Sequence, residues 1–312
     1  MTMERWGIVA LSVAAIVIAL GTAEKAHAGA IGVSIDTMAN FSPSGFSTEA
    51  NPNSTASDNA VFNAISNSSG IAICPGAGPC NGGGLSANPL QSTAGPGPFP
   101  AQDTYTQPPA GGFTGSRGDA NVTSVSFTTL GGGAQNVAET RLTAGNTGSG
   151  AGTNHLSTTL NLGFGTPALG FSFTADPYLQ VAVTQATGES ATAILAMSVT
   201  VVNSAGVVVF RWTPGVSAGE IGVATETDPF SLNQTLTATS PAGNLIFDPA
   251  SATFRATSVA LAGEQAYTLN IDMSEITRAS SAAVPEPSAL LLLGSGLAGL
   301  IGTVAWRAHR GK

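Results

Sequence analysis

Charge is scarce in this chain. Only 9% of its 312 residues are Asp, Glu, Lys or Arg, far below the roughly 25% of an ordinary globular protein. Lysine is missing altogether between Gly29 and Val284. That stretch holds five arginines (Arg117, Arg141, Arg211, Arg255 and Arg278) against fifteen acidic residues, a balance of −10. Nucleic-acid binding needs clustered Lys and Arg to neutralise phosphates, so this composition argues against it. An anionic lipid surface would repel the same stretch. Cysteines number two and histidines three, and only His155 lies between His27 and His309. A four-ligand zinc site cannot be assembled from Cys74, Cys80 and His155 alone, and neither a metal nor a cofactor is expected. Of the three tryptophans, only Trp212 lies outside the terminal segments, which disfavours a tryptophan-rich platform for stacking sugars. The chain has no P-loop, no Gly-x-Ser-x-Gly elbow and no dinucleotide fingerprint. The expectation is a protein that is not an enzyme.

What the chain does have is an apolar segment near each end. The first reads MTMERWGIVALSVAAIVIALGTAEKAHA. Arg5 precedes an uncharged run from Trp6 to Ala23, and Ala26-His27-Ala28 gives a small-x-small ending. Those parts compose a secretory signal peptide over 1–28, cut between Ala28 and Gly29. The alternative is an uncleaved anchor helix, and either one exports the middle of the chain. The second segment, 288–306, contains no charged residue and at ~1.5 Å per residue approaches the ~30 Å hydrocarbon core. Gly294, Gly296, Gly299 and Gly302 are tolerated in a membrane helix because small residues let helices pack closely. Trp306 takes an interfacial place. Arg307, Arg310 and Lys312 then keep the tail cytoplasmic by the positive-inside rule.

A plain anchor does not require Val284-Pro285-Glu286-Pro287 in front of that helix. Proline cannot continue a helix backward, so one explanation is a stiff helix-starting linker. Yet the order Pro-Glu-Pro, small-residue hydrophobic helix, short arginine-rich tail resembles the PEP-CTERM sorting signal of Gram-negative bacteria, over 285–312. The resemblance implies that Pro285, Glu286 and Pro287 are the motif read by an exosortase, a membrane-embedded cysteine transpeptidase. It implies that 288–306 holds the chain in the inner membrane, with the body in the periplasm. Arg307, Arg310 and Lys312 would be the retention end. The protein is then a substrate of processing whose destination is the cell surface or the extracellular polysaccharide matrix.

Between the two signals the composition shifts once. The region 29–112 is dense in Pro, Gly, Ser and Asn, as in NFSPSGFSTEANPNSTASDN, and reads as mostly loop. IDTMANF would be a short strand in it and DNAVFNAIS a short helix. From Phe113, β-rich runs recur about every ten residues between Gly, Pro, Asn and Asp turns. That spacing predicts an antiparallel, jelly-roll-like β-sandwich over 113–277. AMSVTVVN-SAG-VVVFRW is its clearest hairpin. Phe127, Phe171, Phe173, Val199, Val201 and Phe210 would face the core, and Ser126, Thr128, Thr158 and Thr200 the outside. A small-residue linker, 278–284, would join the sandwich to the membrane signal.

Several residues invite chemical readings. Cys74 and Cys80 bracket CPGAGPC, and in an oxidising compartment they would form a disulfide, the alternative being a redox or metal pair. Arg117-Gly118-Asp119 spells an adhesion tripeptide, but it reads more simply as a solvated turn before the first strand. His155 would sit in a loop beside Asn154. Asp176, Glu189, Glu226, Asp228, Asp248, Asp272 and Glu275 are the acids from which a glycosidase pair would have to come. The Asp-Pro steps at 176, 228 and 248 look instead like turns leaving strands. Glu226-Thr227-Asp228 offers oxygen ligands of the kind calcium takes, without any repeat spacing. The plentiful Ser and Thr could carry O-linked sugars. The sequence as a whole points to an exported surface or matrix protein with a structural or polysaccharide-contacting role. An extracellular enzyme or lectin using the acids, or an unprocessed anchored protein, is the alternative.

Overall fold

Strands β12 and β18 show why this chain folds as it does. In SATAILAMSVTVVN (β12, Ser190–Asn203), Ala191, Ala193, Leu195, Met197, Val199 and Val201 are buried while the residues between them are not. β18 (Ala266–Ser280) alternates in the same way. The two pair antiparallel along their whole length, Ser190 opposite Ser280 and Asn203 opposite Tyr267. A period of two, with β-branched residues at many positions, suits a strand with one buried face. The hairpin after β12 forms as its sequence predicts. Asn203 Oδ1 accepts from the backbone N–H groups of Ala205 (3.0 Å) and Val207 (2.9 Å), and Gly206 takes φ +79°.

The structure is a computed structural model. It describes residues 29–281 apart from 49–52, 65–66, 74–79, 84–89, 97, 103, 110, 125–131, 144, 163–167, 185–187 and 242, together with 296–297. The remaining strands are β1 (Gly29–Ser44), β2 (Ser47–Thr48), β3 (Asn53–Ala64), β4 (Asn67–Ile73), β5 (Cys80–Gly83), β6 (Leu90–Ala94), β7 (Gly115–Ser124), β8 (Gly132–Thr143), β9 (Asn146–Asn161), β10 (Gly170–Ala175), β11 (Tyr178–Val183), β13 (Val208–Trp212), β14 (Val223–Thr227), β15 (Gln234–Thr239), β16 (Asn244–Phe247) and β17 (Ala252–Ser258). Every pairing between them is antiparallel. Sheet one runs β14-β17-β10-β1-β8-β7-β6, with β11 beside β1 and β16 beyond it; sheet two runs β13-β12-β18-β9-β3-β4, with β15, β2 and β5 attached at its sides.

The sheets share one core. Inward residues of β1, β8 and β10 and those of β9, β12 and β18 belong to a single cluster of buried side chains. Its aromatic part centres on Phe173, whose ring lies 5.2 Å from Phe254, 5.4 Å from Trp212 and 6.3 Å from Phe41; Phe171 meets Phe210 at 5.0 Å. The expected core residues Phe171, Phe173, Val199, Val201 and Phe210 are all buried, while Phe127 lies outside the described residues. Thr158 departs from expectation. It points inward and is 3% exposed, because β9 turns its even-numbered residues to the core.

The largest correction concerns 29–112. Instead of a mostly looped region, it supplies β1 near the middle of sheet one and β3 to sheet two. DNAVFNAIS is strand through Ala64, where it belongs to β3, and none of its described residues is helical. The physical reason is visible in β1. Over its first half the inward positions are small or polar (Ala30, Gly32, Ser34, Asp36), and the outward Val33 and Ile35 are buried too. With both faces covered, the polar-apolar alternation that marks a half-exposed strand is erased. The cover over the outer face is the segment between β6 and β7, whose Tyr105 packs against Val33, Ile35, Val137 and Tyr178. A second correction concerns 278–284. Arg278, Ala279 and Ser280 are still strand, paired to β9 and β12, so the expected linker begins no earlier than Ser281.

Candidate functional site

On the outer face of sheet two, neighbouring strands bring polar side chains into rows. His155 on β9 lies opposite Asp272 on β18, which lies opposite Ser198 on β12. One step along, Ser57 on β3 lies opposite Thr153, which lies opposite Ser274. Directly opposed side chains on one sheet face are in reach of each other, and here they bond. His155 Nδ1 sits 2.6 Å from Asp272 Oδ1. The Ser57 and Thr153 hydroxyls share a hydrogen bond, and Ser157 Oγ donates to Asn270 Oδ1 at 2.9 Å. The imidazole and carboxylate remain open to solvent, at 44% and 54% exposure. Asp272 holds the His155 pKa above its usual value by hydrogen bonding to the imidazolium, against a smaller opposing effect of burial. A hollow of about 250 Å³ lies over Ser57, Thr153, His155, Asp272 and Ser274. A smaller one of about 150 Å³ adjoins it, sharing Asp272 and Ser274 and reaching Ser198, Thr213 and Asn233.

This surface offers a carboxylate acceptor, an imidazole, amides and hydroxyls that both give and accept. That set suits a neutral, hydroxyl-bearing ligand. A carboxylate-oriented imidazole is also the orienting half of a nucleophilic triad. No described hydroxyl hydrogen-bonds to His155, so the nucleophile's half of that arrangement is not assembled among the described residues.

The expected acids disperse. Asp272 belongs to the surface just described. Glu275, three residues on, points the other way and is fully buried between the sheets. Glu189 anchors the start of β1, accepting from the Gly29 N–H and the Thr184 hydroxyl, each at 2.7 Å. Asp228 accepts from Trp212 Nε1 at 3.2 Å and from the Gly215 N–H, which fixes a turn. Burial raises its pKa, and nearby Glu226 adds to the rise. The Glu226 pKa is raised first by burial and then by Glu220 alongside. Asp176, Asp228 and Asp248 each follow the last residue of a strand, as their Asp-Pro steps suggested. Among the described residues no group of three or more His, Cys, Asp or Glu side chains converges to hold a metal ion, including at Glu226 and Asp228. Trp212 is fully buried against Phe173 and offers no face to a sugar.

Two local readings are overturned. His155 lies within β9 and not in a loop. Arg117-Gly118-Asp119 is no solvated turn: it lies inside β7, with Arg117 1% and Asp119 0% exposed. Arg117 Nη2 is 2.8 Å from Glu139, and the guanidinium also donates to the carbonyl oxygens of Ala101 and Thr104. Arg141, on the other side of Glu139, donates to Pro109 O and stacks over the Phe113 ring. The two arginines thus tie the covering segment to sheet one. Glu139, Ser57 and Thr153 were absent from the sequence-based candidates. Only pairing across strands, which no local pattern reveals, gives them partners.

The other sequence-based candidates fall where the structure describes little. Cys74 lies outside the described residues, and only the strand backbone is described for Cys80. The expected signal peptide 1–28, the motif Pro285, Glu286 and Pro287, and the tail Arg307, Arg310 and Lys312 also lie outside. Of the segment 288–306, Gly296 and Leu297 are described, and both are helical. Among the described residues no helix is long and apolar enough to cross a membrane. Neither the curated proteins nor the solved structures contain a match to this chain. A family model does match: residues 283–310 fit that of the PEP-CTERM protein-sorting motif. The chain therefore carries a PEP-CTERM sorting motif, and with it the mark of an exosortase-targeted protein exported toward the cell surface.

Proposed function

We propose that this protein is a non-catalytic component of the cell surface or extracellular matrix whose β-sandwich body contacts polysaccharide through the outer face of sheet two. Delivery follows the order of the signals. The peptide 1–28 starts export and is removed. The helix 288–306 holds the chain in the inner membrane with the body in the periplasm, while Arg307, Arg310 and Lys312 stay inside. An exosortase then acts at Pro285-Glu286-Pro287. The observation that carries delivery is the match at 283–310. Support for the polysaccharide contact comes from the open rows of Ser57, Thr153, Ser274, His155 and Asp272. A body with fifteen acidic residues against five arginines suits a neutral glycan better than an anionic one.

The deciding measurement is the mass of the mature chain from cells with and without their exosortase. Loss of the residues after Val284 or Pro285, only where the enzyme is present, is the expected result. A chain that still ends at Lys312 and stays in the membrane in both strains overturns the delivery scheme. For the polysaccharide contact, Asp272→Asn should weaken co-sedimentation with neutral matrix polysaccharide. Unchanged co-sedimentation, or none by the parent protein, removes that part of the proposal. The second reading, a lectin or hydrolase, draws on the His155–Asp272 pair. It requires turnover, or saccharide affinity, that His155→Ala abolishes.

A further inference from the structure

Two fully buried carboxyl groups lie between the sheets with no base beside them among the described residues. Asp36 on β1 and Glu275 on β18 are both fully buried, at 0% exposure. None of their four oxygens makes a hydrogen bond of ordinary geometry. Asp36 faces Asn136 in the β1–β8 register, and Glu275 occupies the facing side of sheet two, opposite Gly152 of β9. Asn136 Oδ1 accepts from Asn154 Nδ2 at 2.8 Å, while its own Nδ2 is aimed at the Glu275 carboxyl without reaching ordinary hydrogen-bond geometry. The space is tight: a Cβ on Gly152 would stand 2.5 Å from the Asp119 carbonyl oxygen.

Every charged neighbour on the packed elements makes the problem worse or lies on the far side of a sheet. Asp176, just past β10, acts on Asp36, and Asp36 acts on Glu275. Asp58 on β3 shares the row of Gly152 and Glu275. Arg117 and Arg141 are engaged with Glu139 beneath the covering segment, His155 is on the outer face with Asp272, and Arg278 is exposed. An unpaired carboxylate in a dry interior is so costly that the group takes up a proton instead.

We propose that Asp36 and Glu275 form a proton-binding latch between the two sheets, holding them together as neutral carboxylic acids and loosening them when both ionise. Each neutral acid gains an O–H donor, which can reach the other carboxyl or an amide oxygen nearby. Burial acts in this direction on both groups. It pushes Asp36 up to about 7 against the smaller pull of the Thr37 backbone, and it raises Glu275 well above the ordinary range, with the Asp36 charge adding to it and the Asn136 amide opposing it more weakly. A folded-state pKa above the unfolded value means that the folded protein binds more protons. The latch is therefore fully closed below the unfolded carboxylate range, near pH 4, and weakens as pH rises toward and past about 7.

The test is thermal unfolding of the full chain across pH, followed by circular dichroism, for the parent and for Asp36→Asn, Glu275→Gln and the double variant. The parent midpoint should fall by roughly 5–10 °C between about pH 4 and pH 8. The double variant, whose amides keep the shape without the charge, should lose most of that fall. The other raised acids, Glu139, Glu226 and Asp228, are common to all four proteins and cancel in the difference. An equal fall in parent and double variant overturns the latch. Should the variants fail to fold, infrared spectra of the parent decide. A protonated-carboxyl stretch that persists at mildly acidic to neutral pH and vanishes in alkali supports the latch, and its absence there overturns it. If excess Ca²⁺ at alkaline pH raises the parent midpoint and leaves the double variant unmoved, the carboxylates hold a cation and the proton latch is wrong.

Discussion

Where β10, β13 and β17 meet, rings hold the sheets apart. Phe173 lies between Phe254, Trp212 and Phe41, all fully or almost fully buried. Where β7 faces β9, the sheets touch backbone to backbone. A Cβ on Gly118 would stand 2.1 Å from the Ala151 carbonyl oxygen, and one on Gly150 would stand 2.2 Å from that of Arg117. Stacked sheets ordinarily keep about 10 Å between them, and no such gap exists at the glycine end. Sheet separation in this protein is a local quantity set by the inward side chains. It also divides the energetics. The aromatic end rests on apolar area, which is indifferent to pH. The glycine end rests on close approach and on polar groups such as Thr140 and Thr277, whose hydroxyls meet at 3.0 Å across the sheets.

Substitutions can break that division. Phe173→Ala should cost about 3–5 kcal/mol, because the surrounding rings cannot collapse into the space. A calorimetric or denaturant midpoint would show it, and a loss below about 1 kcal/mol would mean the rings are not the support described. Near the glycine end, Arg117→Met should cost about 3 kcal/mol or more, since it strands Glu139 as a buried charge with Arg141 alone 3.9 Å away. Adding Glu139→Gln to that variant should recover part of the loss, and failure to do so would assign the cost to packing. Gly150→Ala should cost roughly 1–3 kcal/mol, because its neighbour is backbone and cannot rotate aside. The same change at Gly111, which has nothing within 4 Å, is the control and should be nearly neutral.

The smallest effect belongs to the outer face. His155→Ala or Asp272→Asn should change stability by at most about 1 kcal/mol, since both groups are near half exposed and solvent screens the pair. The sign is fixed by the raised His155 pKa. The contribution is present below the unfolded histidine value of about 6.5 and is lost as pH rises through the folded value. Added salt should shrink it. A loss several times larger would show that the pair supports the fold and is not a free surface.

Legibility varied along the chain for physical reasons. β12 and β18 announced themselves because one face is wet and one dry, so alternation survives in the sequence. β1 did not, because the covering segment with Tyr105 buries its outer face as well, and because Ser34 and Asp36 point inward. β3, read in part as a short helix, has its signal diluted by Asn, Ser and Asp. The tripeptide at 117–119 read as a turn because charge normally marks the surface. Only the pairing of Arg117 with Glu139, and the carbonyls of the segment above them, makes its burial tolerable.

The sequence by itself determined that the protein is marked for export toward the cell surface and that its body is mainly β. Both are local properties: a motif of contiguous residues recognised as a string, and a period of two set by the pleat. Tertiary structure decided which polar residues meet. His155 and Asp272 lie 117 residues apart, and Asp36 and Glu275 lie farther apart still. Antiparallel register alone sets the first pair side by side in the open, and the packing of one sheet on the other sets the second pair face to face in the dark interior, where the same carboxyl chemistry acquires opposite behaviour.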